Sequence, residues 1–383
     1  MQLRKPLNRQ LRCGHPWIYR DALAETRLQP GTVVTVVDDR RRFVARGLTD
    51  AGPIGVRVWT VRDQPLDTAL LVERIEAAFS LRERVIDSDT NAYRLLHGEG
   101  DRVPGVVCDV YGRFASVRLD GQGVEHWAER VVEALVPRLQ TRGVVGLVLR
   151  TGRRAEQRAR VVWGQAPPAE VHVREHGMVL SGDLLAGQKT GLFLDHRESR
   201  RRVRGLAQGQ RVLDLYSYVG GFSAAAGLGG ATHVTTVDAS PGAIEHAGRT
   251  WQANGLPPER QERVVADVGE YLEQRKRERF GLVVADPPSF APSHAVREKA
   301  LRSYARLHEN ALQVLEPGGL YLAASCSSHV DRQAFDETIA EGARRARRIL
   351  QVLDRWGAPP DHPRLVAFPE GDYLAVTLCR VLD

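Results

Sequence analysis

No run in this 383-residue sequence approaches the ~18 uncharged apolar residues of a membrane-crossing helix, and the opening MQLRKPLNRQ holds no apolar stretch suited to a secretory signal. A cytosolic location without a membrane partner is expected. Cysteine is scarce and scattered. Cys13, Cys108, Cys326 and Cys379 form no C-x-x-C pair, so neither a zinc site nor a disulfide framework is expected and each thiol is weighed singly. Lysine is nearly missing, with only Lys5, Lys189, Lys276 and Lys299 among 54 basic residues. Arginine richness, a net charge of +7 and a pI near 9.5 therefore reflect composition as readily as a polyanionic partner. Core-forming residues are plentiful. A hydrophobic content of 43%, a charged content of 26% and a mean hydropathy of −0.31 belong to a soluble globular protein, and the length calls for two or three cores.

The most informative stretch is Arg211 to Ser240, RVLDLYSYVGGFSAAAGLGGATHVTTVDAS. Val212 to Leu215 is a short apolar strand containing an acid, Gly220-Gly221 permits a tight turn, and Ala224 to Ala226 open a helix. A second apolar run, Val234 to Val237, ends at Asp238. Strand, glycine turn, helix, strand and terminal carboxylate is how an α/β sheet holds a nucleoside, because that carboxylate can accept both ribose hydroxyls. The glycines do not follow G-x-G-x-x-G, which argues against a pyrophosphate cofactor. S-adenosylmethionine, which has no phosphate, fits better.

The charge distribution and hydrophobic periods divide the chain into three. Residues 1–66 read as a small β-rich module, with strands at Val33–Val37, Phe43–Gly47 and Ile54–Trp59, and residues 1–46 carry ten Lys or Arg against four Asp or Glu. Residues 67–175 read as an α+β unit opened by a helix through Leu70, Ile75, Phe79 and Val85; in it, Tyr93 to Asp101 reads as a polar loop and Arg150 to Arg160 as a solvated hairpin or loop. Residues 176–383 carry seven strand-like runs separated mostly by helices, giving a doubly wound α/β sheet in which the last two runs form a hairpin and one strand lies antiparallel.

Four successive strands of that sheet reach acids, Asp214, Asp238, Asp267 and Asp286, and a fifth runs into Ser325-Cys326-Ser327-Ser328. Ligands of such sheets bind at the carboxyl ends of the strands. By position, Asp214 and the loop with Ser217, Tyr218, Gly220 and Phe222 face the methionine portion, Asp238 the ribose, and Asp267 the adenine, with Val268 as an apolar wall. Cys326 stands at the same edge. Carbon 5 of a pyrimidine is too weak a nucleophile to take a methyl group until a thiolate has added to carbon 6, so a thiol facing a methyl donor points to that chemistry. A helix starting near Asp331, or His329, would help it ionise. In so lysine-poor a chain, Lys189 hints at a specific contact.

At the N-terminus, Arg12-Cys13-Gly14-His15-Pro16-Trp17-Ile18-Tyr19, with Gly31, Val36 and Ala45-Arg46-Gly47, resembles the PUA domain, a compact RNA-binding pseudo-barrel. That resemblance implies RNA contacts from Arg12, His15, Trp17 and Arg46. Asp286-Pro287-Pro288 resembles the (D/N)PP loop of methyltransferases acting on planar nitrogen, with Ser289 in place of the usual aromatic. Together with Asp214 to Ser223, Ser325-Cys326-Ser327 and Gln188-Lys189-Thr190-Gly191, these segments are similar to the PUA-containing, RlmI/RlmO-like methyltransferases that form 5-methylcytosine in bacterial 23S rRNA. The resemblance covers nearly the whole chain. It implies S-adenosylmethionine as cofactor, with Gln188, Lys189 and Thr190 beside it, Cys326 as nucleophile, and Asp286 near the base. It further implies 23S rRNA, its precursor or the large subunit as partner, and a homodimer is a reasonable expectation. Related cytosine methyltransferases with two cysteines carry one after the fourth strand; none stands there here, so Asp286 or a water is expected to take the carbon 5 proton. Two alternatives remain at this point: methylation of a guanine or adenine nitrogen, or an inactive RNA-binding assembly factor.

Overall fold

The computed structural model describes residues 1–24, 28–152, 158–187, 190–291, 294–327 and 329–383. The chain forms two compact units: Met1–Arg174 with Gly182–Leu194 and Pro360–Gly371, and Glu175–Ser181 with Asp195–Pro359 and Asp372–Asp383. Among the described residues no helix is long and apolar enough to cross a membrane.

In the first unit, alternating apolar runs pair into a four-stranded antiparallel sheet in the order Trp17–Tyr19, Ile54–Thr60, Phe43–Thr49, Val33–Val37. A five-stranded sheet follows, in the order Ala92–His97, Val106–Tyr111, Phe114–Leu119, Gly146–Thr151, Arg158–Gly164. The helices Thr68–Val85 and Ala128–Gln140 belong to the same unit. Leu48 and Trp59 of the first sheet share one buried cluster with Leu71, Ile75, Phe79 and Leu96, so the cores of the two sheets run together. Asp67 caps the first of these helices by accepting the Leu70 amide.

Two sequence expectations change here. The segment read as a polar loop from Tyr93 is a strand to His97 and only then a short 3-10 turn, because Arg94 is neutralised by Asp109, at 2.5 Å, and bonded to His97. Arg150 is not solvated. It is 2% exposed and donates to the carbonyls of Leu184 and Gly187, satisfying backbone groups that the loop leaves unpaired. Arg153 and Arg154 of that run lie outside the described residues.

The second unit carries the seven-stranded sheet. Its strands, numbered within this unit, are β1 (Arg211–Leu215), β2 (His233–Asp238), β3 (Gln261–Val265), β4 (Phe280–Ala285), β5 (Leu315–Ser325), β6 (Leu350–Trp356) and β7 (Ala375–Val381). Their spatial order is β3-β2-β1-β4-β5-β7-β6. All neighbours are parallel except β7, which runs antiparallel to both β5 and β6, as the missing helix between the last two runs predicts. The helices are α1 (Arg197–Leu206), α2 (Gly221–Leu228), α3 (Pro241–Ala253), α4 (Val268–Gln274), α5 (Arg297–Gln313) and α6 (Arg332–Ala346). One face of the sheet buries Leu213, Val283, Tyr321, Tyr304 and Phe335, the other Val212, Leu282, Leu322, Trp251 and Phe222. Strands covered on both faces read as continuous apolar runs, which is why they are legible in the sequence.

Candidate functional site

Strand order reverses between β1 and β4, and in a doubly wound sheet such a switch opens a crevice beyond the carboxyl ends of the strands. Register fixes which residues meet there. Leu215 pairs with Val237 and with Ala285, and Ala285 with Ala323, so Tyr216, Asp238, Asp286 and the Ser325-Cys326-Ser327 turn all leave the sheet at one edge.

The loop after β1 is tightly specified. Tyr216 and Tyr218 hold positive φ, 60° and 49°, a conformation costly for residues with a Cβ, and Gly220 follows at 75°. A Cβ on Gly220 would come within 2.7 Å of the Ala247 Cβ and 2.9 Å of its Cα, so the glycine admits both the left-handed turn and the approach of α3. Gly220→Ala is expected to cost about 2–4 kcal/mol from φ strain plus overpacking, read as a lowered Tm together with weakened cofactor binding. Unchanged melting would show that α3 yields instead.

Asp214 is 1% exposed. Its Oδ2 accepts from Ser223 Oγ at 2.6 Å, and Ser223 in turn pairs with Thr236 Oγ1 at 2.8 Å. Its Oδ1 is buried and has no hydrogen-bond partner among the described residues, nor does the hydroxyl of Ser217. Burial pushes the Asp214 carboxyl up to about 7; the Ser223 bonds oppose that, and the charges of Asp286 and Asp238 add to it. Asp238 is half-buried, its two oxygens accepting the amides of Tyr218 at 3.0 Å and Ser240 at 2.9 Å. Phe222 and Val268 are buried apolar walls. Asp267 is exposed and accepts the Glu270 amide, acting as the N-cap of α4.

Beyond β4 and β5 two loops are tied together. Ser289 Oγ lies 3.1 Å from Ser327 Oγ, and the buried Tyr304 hydroxyl of α5 lies 2.9 Å from both Ser325 Oγ and Ser327 Oγ. Ser289, standing where an aromatic is usual, is thus the bond between the Asp-Pro-Pro loop and the cysteine turn. Cys326 is half-buried between these serines; Ser328 lies outside the described residues. Tyr304→Phe would leave the buried Ser325 and Ser327 hydroxyls without that partner, with an expected loss of about 1–3 kcal/mol in urea unfolding and slower turnover. An unaltered unfolding midpoint would mean that the two serines satisfy each other.

Sequence reasoning missed His196. It is 2% exposed, its Nε2 is 3.2 Å from Asp286 Oδ1, and its ring meets Phe222 edge-on at 5.5 Å. It lies 90 positions from Asp286, and only the charged run Asp195-His196-Arg197 signalled it.

Other expected contacts lie in the first unit. Gln188 and Lys189 are outside the described residues. Thr190 is buried, its hydroxyl bonded to Asp109 and, at 2.9 Å, to Tyr111. Of the four residues expected to meet RNA, only Arg12 is an exposed side chain. His15 is 3% exposed against Phe368, Trp17 donates to Glu99 at 2.8 Å, and Arg46 is paired with Asp63 at 2.8 Å. The basic and aromatic character of this stretch is thus largely spent on internal contacts. Among the described residues no three or more His, Cys, Asp or Glu side chains converge to hold a metal ion.

Residues 128–372 match the S-adenosylmethionine-dependent methyltransferase family, and residues 1–60 match the PUA-like domain. Ribosomal RNA large subunit methyltransferase I of Photobacterium profundum is 36% identical over 388 residues, covering 98% of each chain. Ribosomal RNA large subunit methyltransferase of Deinococcus radiodurans is 36% identical over 401 residues, covering all of this chain and 97% of its own. Among solved structures, a SAM-dependent methyltransferase fold from Streptococcus mutans superposes with a TM-score of 0.88 at 24% identity, over 100% of this chain and 99% of that one. A second, complexed with SAH, gives 0.90 at 24% identity over the same shares. The Asp214 Oδ1 acceptor and the Ser217 hydroxyl, both without a hydrogen-bond partner among the described residues and beside a glycine turn, fit a cofactor that brings an ammonium group and no phosphate.

Proposed function

Since the chain belongs to the S-adenosylmethionine-dependent ribosomal RNA large subunit methyltransferases that carry a PUA-like domain, we propose that it methylates carbon 5 of a cytosine, in 23S rRNA, through a covalent adduct of Cys326. The observation carrying this reading is the union of Asp286's loop with the Cys326 turn through Ser289 and Ser327 at the strand edge that holds Asp214 and Asp238. A thiol and a carboxylate braced together at a methyl-donor site suit carbon 5 chemistry. Methylation of a ring nitrogen needs only the carboxylate loop.

In this reading Asp214 and the Ser217–Phe222 loop hold the methionine portion, Asp238 the ribose hydroxyls, and Val268 flanks the adenine. Asp267 is left as a cap with a secondary part at the adenine amino group. Bound there, S-adenosylmethionine supplies an electrophilic methyl group. The target base is turned out of its stack into the space between Asp286 and Cys326. Cys326 adds as a thiolate to carbon 6, which makes carbon 5 nucleophilic; after carbon 5 is methylated, loss of its proton restores the 5,6 double bond and releases the thiolate. The RNA is gripped by the basic N-terminal module through Arg12 and its exposed neighbours, and the work is done in the cytosol. Dimerisation belongs to the same proposal.

Incubation with cofactor and 5-fluorocytosine-containing rRNA is the test. Fluorine at carbon 5 cannot leave as a proton does, so a denaturation-stable protein–RNA species carrying the labelled methyl is expected. Methyl transfer to unmodified rRNA with no such species would favour a nitrogen target.

A further inference from the structure

Resting on the covalent reading above, we infer that His196 is the positioning residue that makes Asp286 the acceptor of the carbon 5 proton. No second cysteine follows β4, and Asp286 is the one ionisable group in Asp286-Pro287-Pro288-Ser289-Phe290. A carboxylate at a loop start is free to turn about its last bond unless something fixes its plane. His196 does so: its ring is buried, pressed against Phe222, and its Nε2 stands 3.2 Å from Asp286 Oδ1, within ion-pairing reach of that one oxygen. The Asp286 side chain remains 21% exposed, which leaves Oδ2 for a substrate atom. The His196 Nδ1 has no hydrogen-bond partner among the described residues, so the ring is held by packing and by Asp286.

The step balances without a further reactant. In the methylated adduct, Asp286 takes the proton from carbon 5, the freed electron pair forms the 5,6 double bond, and the carbon 6–sulfur pair departs with Cys326 as thiolate. If Asp286 turns away, methylation at carbon 5 still proceeds and release stalls. A poorly held base therefore traps enzyme on ordinary cytosine RNA, as fluorine does on the modified RNA.

His196→Phe keeps the ring and its contact with Phe222 but removes the donor; His196→Gln keeps a donor. For His196→Phe, kcat is expected to fall about 100-fold, the scale of a misplaced general base, with KM for RNA and cofactor changed less than about 3-fold. A methyl-labelled protein–RNA species should accumulate on unfluorinated RNA. His196→Gln should stay within about 5-fold of the native kcat and accumulate none. A fall in kcat without the trapped species, or a glutamine variant as impaired as the phenylalanine one, overturns the inference. Should His196→Phe not fold, Asp286→Asn must trap the same species, and its failure to do so is equally fatal. The native protein on 5-fluorocytosine RNA keeps the two claims apart: no adduct there sinks the covalent reading itself, whereas adduct there without trapping in the variants sinks only the role of His196.

Discussion

Replacing Cys326 with alanine is expected to lower methyl transfer to rRNA by more than about 1,000-fold, because removing the nucleophile of a covalent mechanism leaves only binding and orientation. Cofactor affinity should be unchanged, and stability should shift by no more than about 1 kcal/mol, since the side chain is small and half-buried. The other thiols cannot substitute. Cys108 is buried in the first unit, and burial pushes its thiol far above neutrality; Cys379, on β7, is pushed up to about 11 by burial and by Asp336. Cys13 is exposed but belongs to the N-terminal sheet module, and Cys13→Ala should leave turnover unaffected. Turnover of labelled methyl by purified variants decides the matter. Residual activity of Cys326→Ala above a few per cent would refute the covalent route, whatever the behaviour of the other cysteines.

The parts of this site that were legible in the sequence are those fixed by local rules. Val212–Leu215 and Phe280–Ala285 are apolar runs buried on both faces; the first carries Asp214 within the core, and the second reaches Asp286 where the chain leaves it. Gly220 was legible because a tight turn needs it. Tyr216 and Tyr218 at positive φ were not, because tyrosine carries no preference for that region; the Tyr218 amide is held there by Asp238, a residue 20 positions away. His196 was missed for a different reason. Its contact with Asp286 joins a short turn before α1 to the end of β4, and nothing local to either marks the other. His15, Trp17 and Arg46 show the limit of composition as a signal, since an aromatic and basic mixture reads the same whether it stacks on bases or packs on Phe368 and pairs with Glu99 and Asp63, as these residues do. Residues 360–371 gave no sign that they return to the first unit, where Asp361 accepts the Arg94 amide at 2.9 Å.

Asp214→Asn should stabilise the cofactor-free protein while destroying cofactor binding. In the folded chain the carboxyl is raised to about 7 from a reference value of 3.8, chiefly by burial. A group with a raised folded pKa contributes fully below its unfolded pKa; that contribution is lost as pH rises from about 4 to about 7. Above 7 the folded protein therefore holds a buried, half-satisfied carboxylate at a cost on the order of 4 kcal/mol. Asparagine removes that charge without changing shape. The variant should then be more stable than native by about 2–4 kcal/mol at pH 8 in thermal unfolding without cofactor, with the gain vanishing towards pH 4. Binding runs the other way. An ammonium group reaching Asp214 Oδ1 requires the ionised form, so native affinity should weaken about 10-fold per pH unit below 7, with a proton released on binding at pH 6 that calorimetry in two buffers detects. In the variant, affinity should drop by about 100-fold or more and lose this pH dependence, as a charge-assisted bond is replaced by a neutral one. A variant less stable than native at pH 8, or native binding independent of pH between 6 and 8, would remove Asp214 from the cofactor's ammonium. Both results as expected would identify the unpaired Oδ1 as stability given up in the empty site and recovered when the methyl donor binds.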